Sequence, residues 1–306
     1  MDQKEAIKRI NQLRKEKDAV ILAHYYVEDE VQELADIVGD SYYLAKQASQ
    51  VTNENIIFCG VGFMGESAKI LNPDKHVIML DDHADCPMAH MITPEQILAV
   101  RKQYPKDLAV VCYVNSTAET KAVSDVCVTS SNALRVVKAI KEHYIFFVPD
   151  QNLGHYIAKL LPEKEFIFHD GFCHVHMDIT PEEVLAAKEK HPDAEILTHP
   201  ECKESVVKLS DFVGSTSEII EYAGKSSSKE FLICTEVGVF YPLMKNNPDK
   251  KFYTVNGHQI CPNMKKNTLQ RLLRALETLE PEVIMEEEIA KGAETSLQRM
   301  LEFAAQ

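Results

Sequence analysis

Three cysteines recur at nearly equal intervals along the chain and could share one metal centre. Cys86, Cys173 and Cys261 are separated by 87 and 88 residues, and the sequence contains no C-x-x-C pair. Three thiolates without a fourth suit an iron–sulfur cluster with one iron left open. Such an iron can bind a substrate oxygen or nitrogen as a Lewis acid. We therefore interpret the three cysteines as ligands of one cluster.

Two other interpretations of these cysteines stay open. Zinc accepts three cysteines and a water, and cysteine is also a common inert core residue. Histidines close to the cysteine loops could compete as zinc ligands: His83, His90, His174 and His176. The cysteines that lack the threefold spacing are predicted to be packing residues: Cys59, Cys112, Cys127, Cys202 and Cys234.

Hydroxyl groups at matching positions predict an anion site. Ser41, Ser130 and Thr216 each precede a predicted helix, where a single hydroxyl ordinarily serves as a helix cap. Three helix N-termini around one cavity would present free N–H groups and partial positive charge to a carboxylate or phosphate. Further donors follow predicted strands: His24, Tyr113, Asn115 and His199.

Tyr26, His176 and Glu201 are the candidates for proton transfer, because a cavity lined with donors also needs groups that accept and release protons. A phenol with a pKa near 10 suits this task when nearby positive charge lowers its pKa. The alternative for Glu201 is a solvated surface carboxylate.

A repeat of about 87 residues places these side chains in three copies of one unit. The segment ITPEQILAVRKQYP at 92–105 matches ITPEEVLAAKEKHP at 179–192, and Asp36, Asp125 and Asp211 correspond in the three units. We predict domains at 1–91, 92–178 and 179–266. Residues 267–306 are predicted to form two amphipathic helices that pack on the first repeat.

The alternation of apolar strands with helices predicts an α/β fold of three pseudo-symmetric αβα sandwich domains around a central iron–sulfur site. Ligands of open parallel sheets bind at the carboxyl ends of the strands. The segments at 24–26, 113–115 and 199–201 follow the first predicted strand of each unit, and the cysteine loops follow the last. All of them should therefore face one cavity.

Composition narrows the class of protein. A chain of 306 residues that is 45% hydrophobic can bury two or three domain cores. Its net charge of −14 argues against nucleic acid and anionic membranes as partners. No apolar run has the length of a membrane span. Eight widely spaced cysteines and the lack of a signal-peptide pattern lead us to expect a cytoplasmic protein with free thiols or metal ligands.

A glycine-rich segment offers a competing function. Gly60, Gly62 and Gly65 form a G-x-G-x-x-G pattern between a predicted strand and a helix, and Asp81 follows about 20 residues later. That context is typical of dinucleotide binding, so a nucleotide-dependent dehydrogenase is the main alternative. The equivalent segments of the other two units lack the three glycines. A third possibility is a scaffold in which the metal only ties the domains together.

A series of short motifs runs in order along the chain. They are HYY at 24–26, IVGDS at 37–41, GVGFMGE at 60–66, YVN at 113–115, PDQNLG at 149–154, GFCHVH at 171–176, HPEC at 199–202, GST at 214–216, TEVG at 235–238 and CPNMK at 261–265. With these motifs the chain resembles the quinolinate synthase family over nearly its whole length.

The resemblance implies a transferase with a [4Fe-4S] cluster held by Cys86, Cys173 and Cys261. The cluster would act as a Lewis acid while iminoaspartate condenses with dihydroxyacetone phosphate, giving quinolinate, phosphate and water on the route to NAD. The implied partners are these small molecules, with no nucleic acid and no membrane. The family's dicarboxylate-binding positions fall on His24, Ser41, Tyr113, Asn115, Ser130, His199 and Thr216. Its acid–base positions fall on Tyr26, His176 and Glu201.

Two local features depart from the pattern expected for the family: the segment after Cys261 and the residue before Cys86. Some members have redox-active cysteines in a C-x-x-C near the C-terminus, whereas residues 261–264 here read CPNM. Thiol switching is therefore not expected. Asp85 stands directly before Cys86, where we expect a small residue, and this predicts an altered geometry for that loop.

Overall fold

The computed structural model describes residues 2–104 and 106–304 and arranges them around three parallel four-stranded sheets. Met1, Pro105 and residues 305–306 belong to the predicted ranges but lie outside the described residues. Each sheet has the same strand order, with the second strand of the unit at one edge, followed by the first, third and fourth. The strands are β1 Ala19–His24, β2 Ile37–Gly39, β3 Asn55–Cys59, β4 His76–Met79, β5 Leu108–Tyr113, β6 Val126–Val128, β7 Tyr144–Val148, β8 Glu165–Phe168, β9 Glu195–Thr198, β10 Phe212–Val213, β11 Glu230–Cys234 and β12 Lys251–Thr254.

Helices cover the faces of these sheets. The first unit contains α1 Gln3–Glu16, α2 Asp29–Leu34, α3 Ser41–Ala48 and α4 Gly62–Leu71. The second contains α5 Pro94–Gln103, α6 Ala118–Ala122, α7 Ala133–Ala139, α8 Gln151–Leu160 and α9 His174–Met177. The third contains α10 Pro181–Lys190, α11 Glu204–Val207, α12 Thr216–Lys225 and α13 Phe240–Asn246, and the chain continues into α14 Leu269–Thr278 and α15 Glu287–Ala304. Single 3-10 turns occur at Pro87–His90, Val237–Val239 and Met264–Lys266.

Several strands are almost wholly apolar because they belong to parallel sheets. Every residue of β1 and of β5 is buried, because helices shield both faces of a parallel sheet. The predicted α/β class with three αβα units is confirmed. The exact limits of the domains, at 91/92, 178/179 and 266/267, stay a prediction.

The repeat is also visible in single hydrogen bonds. In each unit the aspartate before the second strand accepts a backbone amide from the first strand. The pairs are Ile21 N to Asp36 at 2.9 Å, Val110 N to Asp125 at 2.7 Å and Ile196 N to Asp211 at 2.8 Å. The three aspartates that correspond in the sequence therefore have one structural task.

Helix starts differ by one residue from the predicted caps at two site helices. Asp40 caps α3 by accepting the amide of Tyr43, and Ser215 caps α12 in a capping box with Glu218. Ser41 and Thr216 are instead the first helical residues. Ser130 lies in the turn before α7, which starts at Ala133. Ser41 and Thr216 therefore do not have the ordinary capping role of such hydroxyls, because Asp40 and Ser215 supply the caps at α3 and α12.

The C-terminal helices pack in two places. Helix α14 lies against α1 and β3, as expected, but α15 packs along α6 and β6 of the second unit as well as α4 of the first. Gly292 lets α15 approach Ala122, where an added Cβ would lie 2.8 Å from the Ala122 Cβ. Arg299 also donates to the Asp125 carbonyl at 2.7 Å. Both helices therefore contact the first repeat, as predicted, but α15 also packs on the second, which was not predicted.

The three units do not share one core. A continuous apolar cluster joins the first two units to the C-terminal helices, whereas the third unit has two clusters of its own. Across the described ranges, no helix combines the length and the apolar character needed to cross a membrane.

Candidate active site

A cavity lies where the carboxyl ends of the three sheets meet. It leaves about 70 Å³ for the centres of water-sized molecules. Every residue predicted for the site lines it: His24, Tyr26, Ser41, Cys86, Tyr113, Asn115, Ser130, Cys173, His176, His199, Glu201, Thr216 and Cys261. The structure thus brings together side chains that are up to 237 residues apart in the sequence.

The thiols of the three cysteines are set up to be ligands of a cation. Burial, with the nearby charge of Cys261, raises the pKa of Cys86 to about 12. Burial likewise raises the pKa of Cys173 and of Cys261. Backbone N–H groups in the turn after each cysteine act in the opposite direction and lower its pKa: Met88, Ala89, His176, Asn263 and Met264. Because burial disfavours three neighbouring thiolates, their ionised form needs a positive charge between them, and this donor set fits a metal or an iron–sulfur cluster.

A second donor group shares the same cavity. Cys173, His176 and Glu201 each offer a ligand atom, and these atoms lie within 4.8 Å of one another. Such a set could hold a single metal ion. His174 also lines the cavity. The other two histidines that were weighed as zinc ligands point elsewhere, with His83 beside Asp82 and 86% exposed, and His90 beside Asp85 and 57% exposed.

Two buried histidines are held neutral with a defined tautomer. Burial lowers the pKa of His24 and of His199 to about 3, against the opposing influence of Glu201. The Nδ1 atom of His24 accepts the amide of Tyr26 at 3.1 Å, and Nδ1 of His199 accepts the amide of Glu201 at 3.3 Å. Each ring therefore carries its proton on Nε2. The Nε2 of His199 lies 3.2 Å from the Ser130 hydroxyl.

A chain of polar contacts joins the three predicted proton-transfer residues. Glu201 Oε2 lies 2.7 Å from His176 Nδ1, and His176 Nε2 hydrogen-bonds to Thr235 Oγ1 at 2.8 Å. The same Thr235 hydroxyl bonds to Tyr26 at 2.8 Å, and Tyr26 bonds to Thr216 at 2.7 Å. All five side chains are buried or nearly so. The arrangement gives protons a route of close polar contacts across the cavity, in which the contact between Glu201 and His176 Nδ1 lacks hydrogen-bond geometry.

The two ends of this route differ in acidity. Burial alone would raise the pKa of Glu201, but His176, His199 and Tyr113 hold it at about 2, so Glu201 is an anion at neutral pH. Burial and the charges of Glu201 and Glu236 raise the pKa of Tyr26 well above 10. Nearby positive charge is expected to lower this pKa, but the opposite holds because the phenol is buried and the charged groups that act on it are carboxylates.

The side chain of Asn115 has a free hydrogen-bonding group. Its buried amide oxygen has no hydrogen-bond partner among the described residues, although Asn115 lines the cavity. A buried polar atom without a partner costs about 1–3 kcal/mol. A bound polar ligand would remove that cost.

Several residues at the site were missed by sequence reasoning. They are Asp40, Asp150, Thr235, Glu236 and Lys265. Lys265 contacts Glu236 at 3.3 Å and donates to the Tyr26 carbonyl at 2.8 Å. Asp150, Thr235 and Glu236 directly follow the third strand of their units, so the rule used for the first strands could have found them.

The glycine-rich segment is occupied by the chain itself. A Cβ on Gly65 would lie 2.3 Å from the Met79 sulfur, and one on Gly60 would lie 2.9 Å from the Met64 sulfur. The amide of Gly62, at the start of α4, donates to the Ala84 carbonyl at 2.8 Å. The Asp85 carboxylate lies beside it. These glycines permit close packing, and the carboxylate disfavours a pyrophosphate at this helix start.

Comparison with known proteins finds relatives along the whole chain. The family model described as "Quinolinate synthetase A protein" matches residues 8–302. A quinolinate synthase of Caldicellulosiruptor saccharolyticus is 50% identical over 301 residues, covering 98% of this chain and 99% of the relative. A quinolinate synthase of Clostridioides difficile is 51% identical and covers 97% of each chain. One of Fusobacterium nucleatum is 52% identical, covering 97% of this chain and 98% of the relative.

Proposed function

The chain belongs to the quinolinate synthetase A family, and we infer from this that it is an enzyme that makes quinolinate in the synthesis of NAD. The inference rests on one observation: about half of the residues are identical to those of named quinolinate synthases over nearly the whole chain. The dehydrogenase alternative is not favoured, since its glycine segment packs against the chain's own side chains.

We propose that Cys86, Cys173 and Cys261 hold a [4Fe-4S] cluster. The convergence of one cysteine from each unit on one cavity supports this. A cluster with three protein ligands supplies an open iron that acts as a Lewis acid on a substrate atom. A single zinc on Cys173, His176 and Glu201 is the competing arrangement.

The proposed substrates are iminoaspartate and dihydroxyacetone phosphate. The donors available for their anionic groups are the Nε2–H groups of His24 and His199 and the hydroxyls of Ser41, Ser130 and Thr216. Neutral histidines donate hydrogen bonds without adding charge, so they bind carboxylates without locking them as a tight ion pair. Tyr113 and Asn115 complete this set of proposed dicarboxylate contacts.

The acid–base roles follow from the opposite protonation states of Glu201 and Tyr26. Glu201, anionic at neutral pH, is the proposed proton acceptor, and Tyr26, protonated, is the proposed donor. His176 lies between them and is joined to Tyr26 through the Thr235 hydroxyl. Forming an aromatic ring with two dehydrations requires several such proton movements, and this route would allow them within one cavity.

A cytoplasmic location is part of the proposal. The eight cysteines, all within the described ranges, are free thiols. Free thiols and an oxidation-prone cluster suit a reducing compartment. The expectation that nucleic acid and membranes are not partners rests on the net charge of −14.

The activity is tested with the full chain after anaerobic reconstitution with iron and sulfide. Iminoaspartate and dihydroxyacetone phosphate are added, and quinolinate is quantified by chromatography. We expect quinolinate from the reconstituted chain and none after a chelator has removed the iron. A fully loaded, brown protein that binds malate but forms no quinolinate would contradict the proposed reaction. A brown protein that binds no dicarboxylate would favour the scaffold role.

A further inference from the structure

Each cysteine loop is tied to its own sheet by the same backbone hydrogen bond. In each unit a helical segment follows the third strand. The amide of its first residue donates to the carbonyl two residues before the cysteine. These bonds run from Gly62 to Ala84, from Gln151 to Gly171 and from Val237 to Gln259, each at 2.8 Å. The three loops therefore begin from equivalent positions.

In the second and third units a carboxylate adds another bond. Asp150 accepts the amide of Cys173 at 3.2 Å, and Glu236 accepts the amide of Cys261 at 3.1 Å. Both acids stand two residues after the third strand, and both are fully buried. Their second oxygens cap the following turn, through Leu153 N at 2.8 Å and Gly238 N at 2.6 Å. One side chain thus fixes both the helix start and the cysteine.

The first unit has Val61 at this position, which forms no side-chain cap bond and cannot accept a hydrogen bond. Its cysteine is held differently. Asp85 accepts the amide of Cys86 at 2.8 Å with Oδ1, and its Oδ2 lies 2.5 Å from Nε2 of His90. The residue that looked out of place in the sequence therefore makes the hydrogen bond that Val61 cannot make.

We propose that Asp85 is a positioning residue for Cys86, in the role that Asp150 and Glu236 have for the other two cysteines. Asp85 can have this role only if Cys86 is a cluster ligand, so the proposal rests on the proposed function. A carboxylate beside a thiolate is electrostatically unfavourable. Its presence at all three cysteines therefore points to the benefit of a fixed backbone, which orients a ligand before the metal arrives.

The three anchors are not equally protected. The side chain of Asp85 is 48% exposed, whereas Asp150 and Glu236 are fully buried. Water competes for the Asp85 hydrogen bonds but is kept from the other two. A single substitution of Asp85 should therefore free the Cys86 backbone without disturbing a buried part of the structure.

The test compares Asp85→Ala with Asp85→Asn, which keeps an oxygen that can accept the Cys86 amide. Asp82→Ala is the control, since Asp82 is in the same loop but contacts only exposed His83 at 3.6 Å. Iron release from the reconstituted full chain to a coloured chelator is timed, and deuterium uptake is measured in the peptide containing Cys86. We expect about 10-fold faster release for Asp85→Ala, the scale of losing an outer-shell partner. Its Cys86 peptide should also exchange faster, while Asp85→Asn and Asp82→Ala stay near wild type.

A rescue variant tests the equivalence of positions 61 and 85. Val61→Asp combined with Asp85→Ala places a carboxylate where the second unit has Asp150, and should slow iron release again. Wild-type release and exchange in Asp85→Ala would overturn the proposal, and a folded double variant as labile as Asp85→Ala would contradict the equivalence. If Cys86→Ala itself keeps full iron, the proposed ligand set fails, whereas loss of iron in Cys86→Ala with an unaffected Asp85→Ala refutes only the role of Asp85.

Discussion

At the scale of single residues, the proposed chemistry depends on a carboxylic acid and a phenol in opposite protonation states, joined by one route of close polar contacts. Glu201 is ionised, and Tyr26 keeps its proton. Thr235 connects Tyr26 to His176 with a hydroxyl that can donate to one partner while accepting from the other. Substitutions that nearly keep side-chain size, such as phenylalanine for Tyr26 or glutamine for Glu201, can therefore remove the acid–base groups of this route.

Removing either end should stop turnover without unfolding the chain. We expect Tyr26→Phe and Glu201→Gln to keep their iron and bind malate, yet to lose at least about 100-fold in turnover, as is usual for a general acid–base group. Rapid-quench measurement of quinolinate decides this. Tyr42→Phe is the matched control, because Tyr42 is outside the residues that line the cavity. Near-normal turnover in Tyr26→Phe would transfer the acid–base role to His176 or to water.

The buried histidines predict a pH dependence of stability. His24 and His199 have a pKa of about 3 when folded and near 6.5 when unfolded. Below pH 6.5 only the unfolded chain takes up these protons, so the stability present above that pH is lost as pH falls towards 3. From pH 7 to pH 5 each histidine lowers the free energy of unfolding by about 2 kcal/mol.

Denaturant unfolding of the wild type and of His24→Gln at both pH values measures this effect. The variant should lose about 2 kcal/mol less than the wild type. Glu201 titrates below this window, and the other buried acids are common to both proteins. Equal losses in the two proteins would show that His24 is not held neutral by burial.

Which residues gather at the site could be predicted from the sequence, but their protonation could not. The positions of His24, Tyr113 and His199 at the carboxyl ends of the first strands are fixed by the repeat. Burial raises the pKa of Tyr26, as do the charges of Glu201 and Glu236, which are at least 175 residues away in the sequence. Such long-range electrostatics needs the three-dimensional arrangement.

At the scale of elements, helix starts decide which hydroxyls are free for a ligand. Asp40 and Ser215 each accept the amide of the third residue of α3 and α12, so the hydroxyls of Ser41 and Thr216 are not used as caps. Sequence patterns located both helices, but the shift of one residue depends on which of two adjacent polar residues reaches the amide. The placement of α15 was missed for a related reason, since an amphipathic pattern identifies an apolar face and not its partner.

Ser215 and Thr216 are adjacent and allow a direct separation of capping from binding. We expect Ser215→Ala to lose about 1 kcal/mol of stability through the lost cap, with malate affinity unchanged. Thr216→Ala and Ser130→Ala should show the reverse, with weaker malate binding and little change in melting temperature. Calorimetric titration and thermal melts are run on all three variants. A loss of stability without a loss of affinity in Thr216→Ala would remove it from the proposed binding site.

At the scale of the whole molecule, three equivalent units contribute unequally to one cavity. The first two units share a core with the C-terminal helices, while the third has its own clusters. The third unit nevertheless supplies Cys261, His199, Glu201 and Thr216 to the cavity. The threefold arrangement could be predicted from the repeat of about 87 residues, since equal units tend to present equal edges. The unequal sharing of the core is set by α15 and could not be predicted from the repeat.

The most direct test of this arrangement is the iron and sulfide content of five variants, in each of which one cysteine is replaced by alanine. Cys86→Ala, Cys173→Ala and Cys261→Ala should each lose most of their iron and all quinolinate formation after anaerobic reconstitution. Cys59→Ala and Cys234→Ala remove fully buried thiols from the third strands of their sheets and should keep their iron. Full iron and sulfide in Cys173→Ala would contradict the central claim that one cysteine from each unit holds a shared cluster.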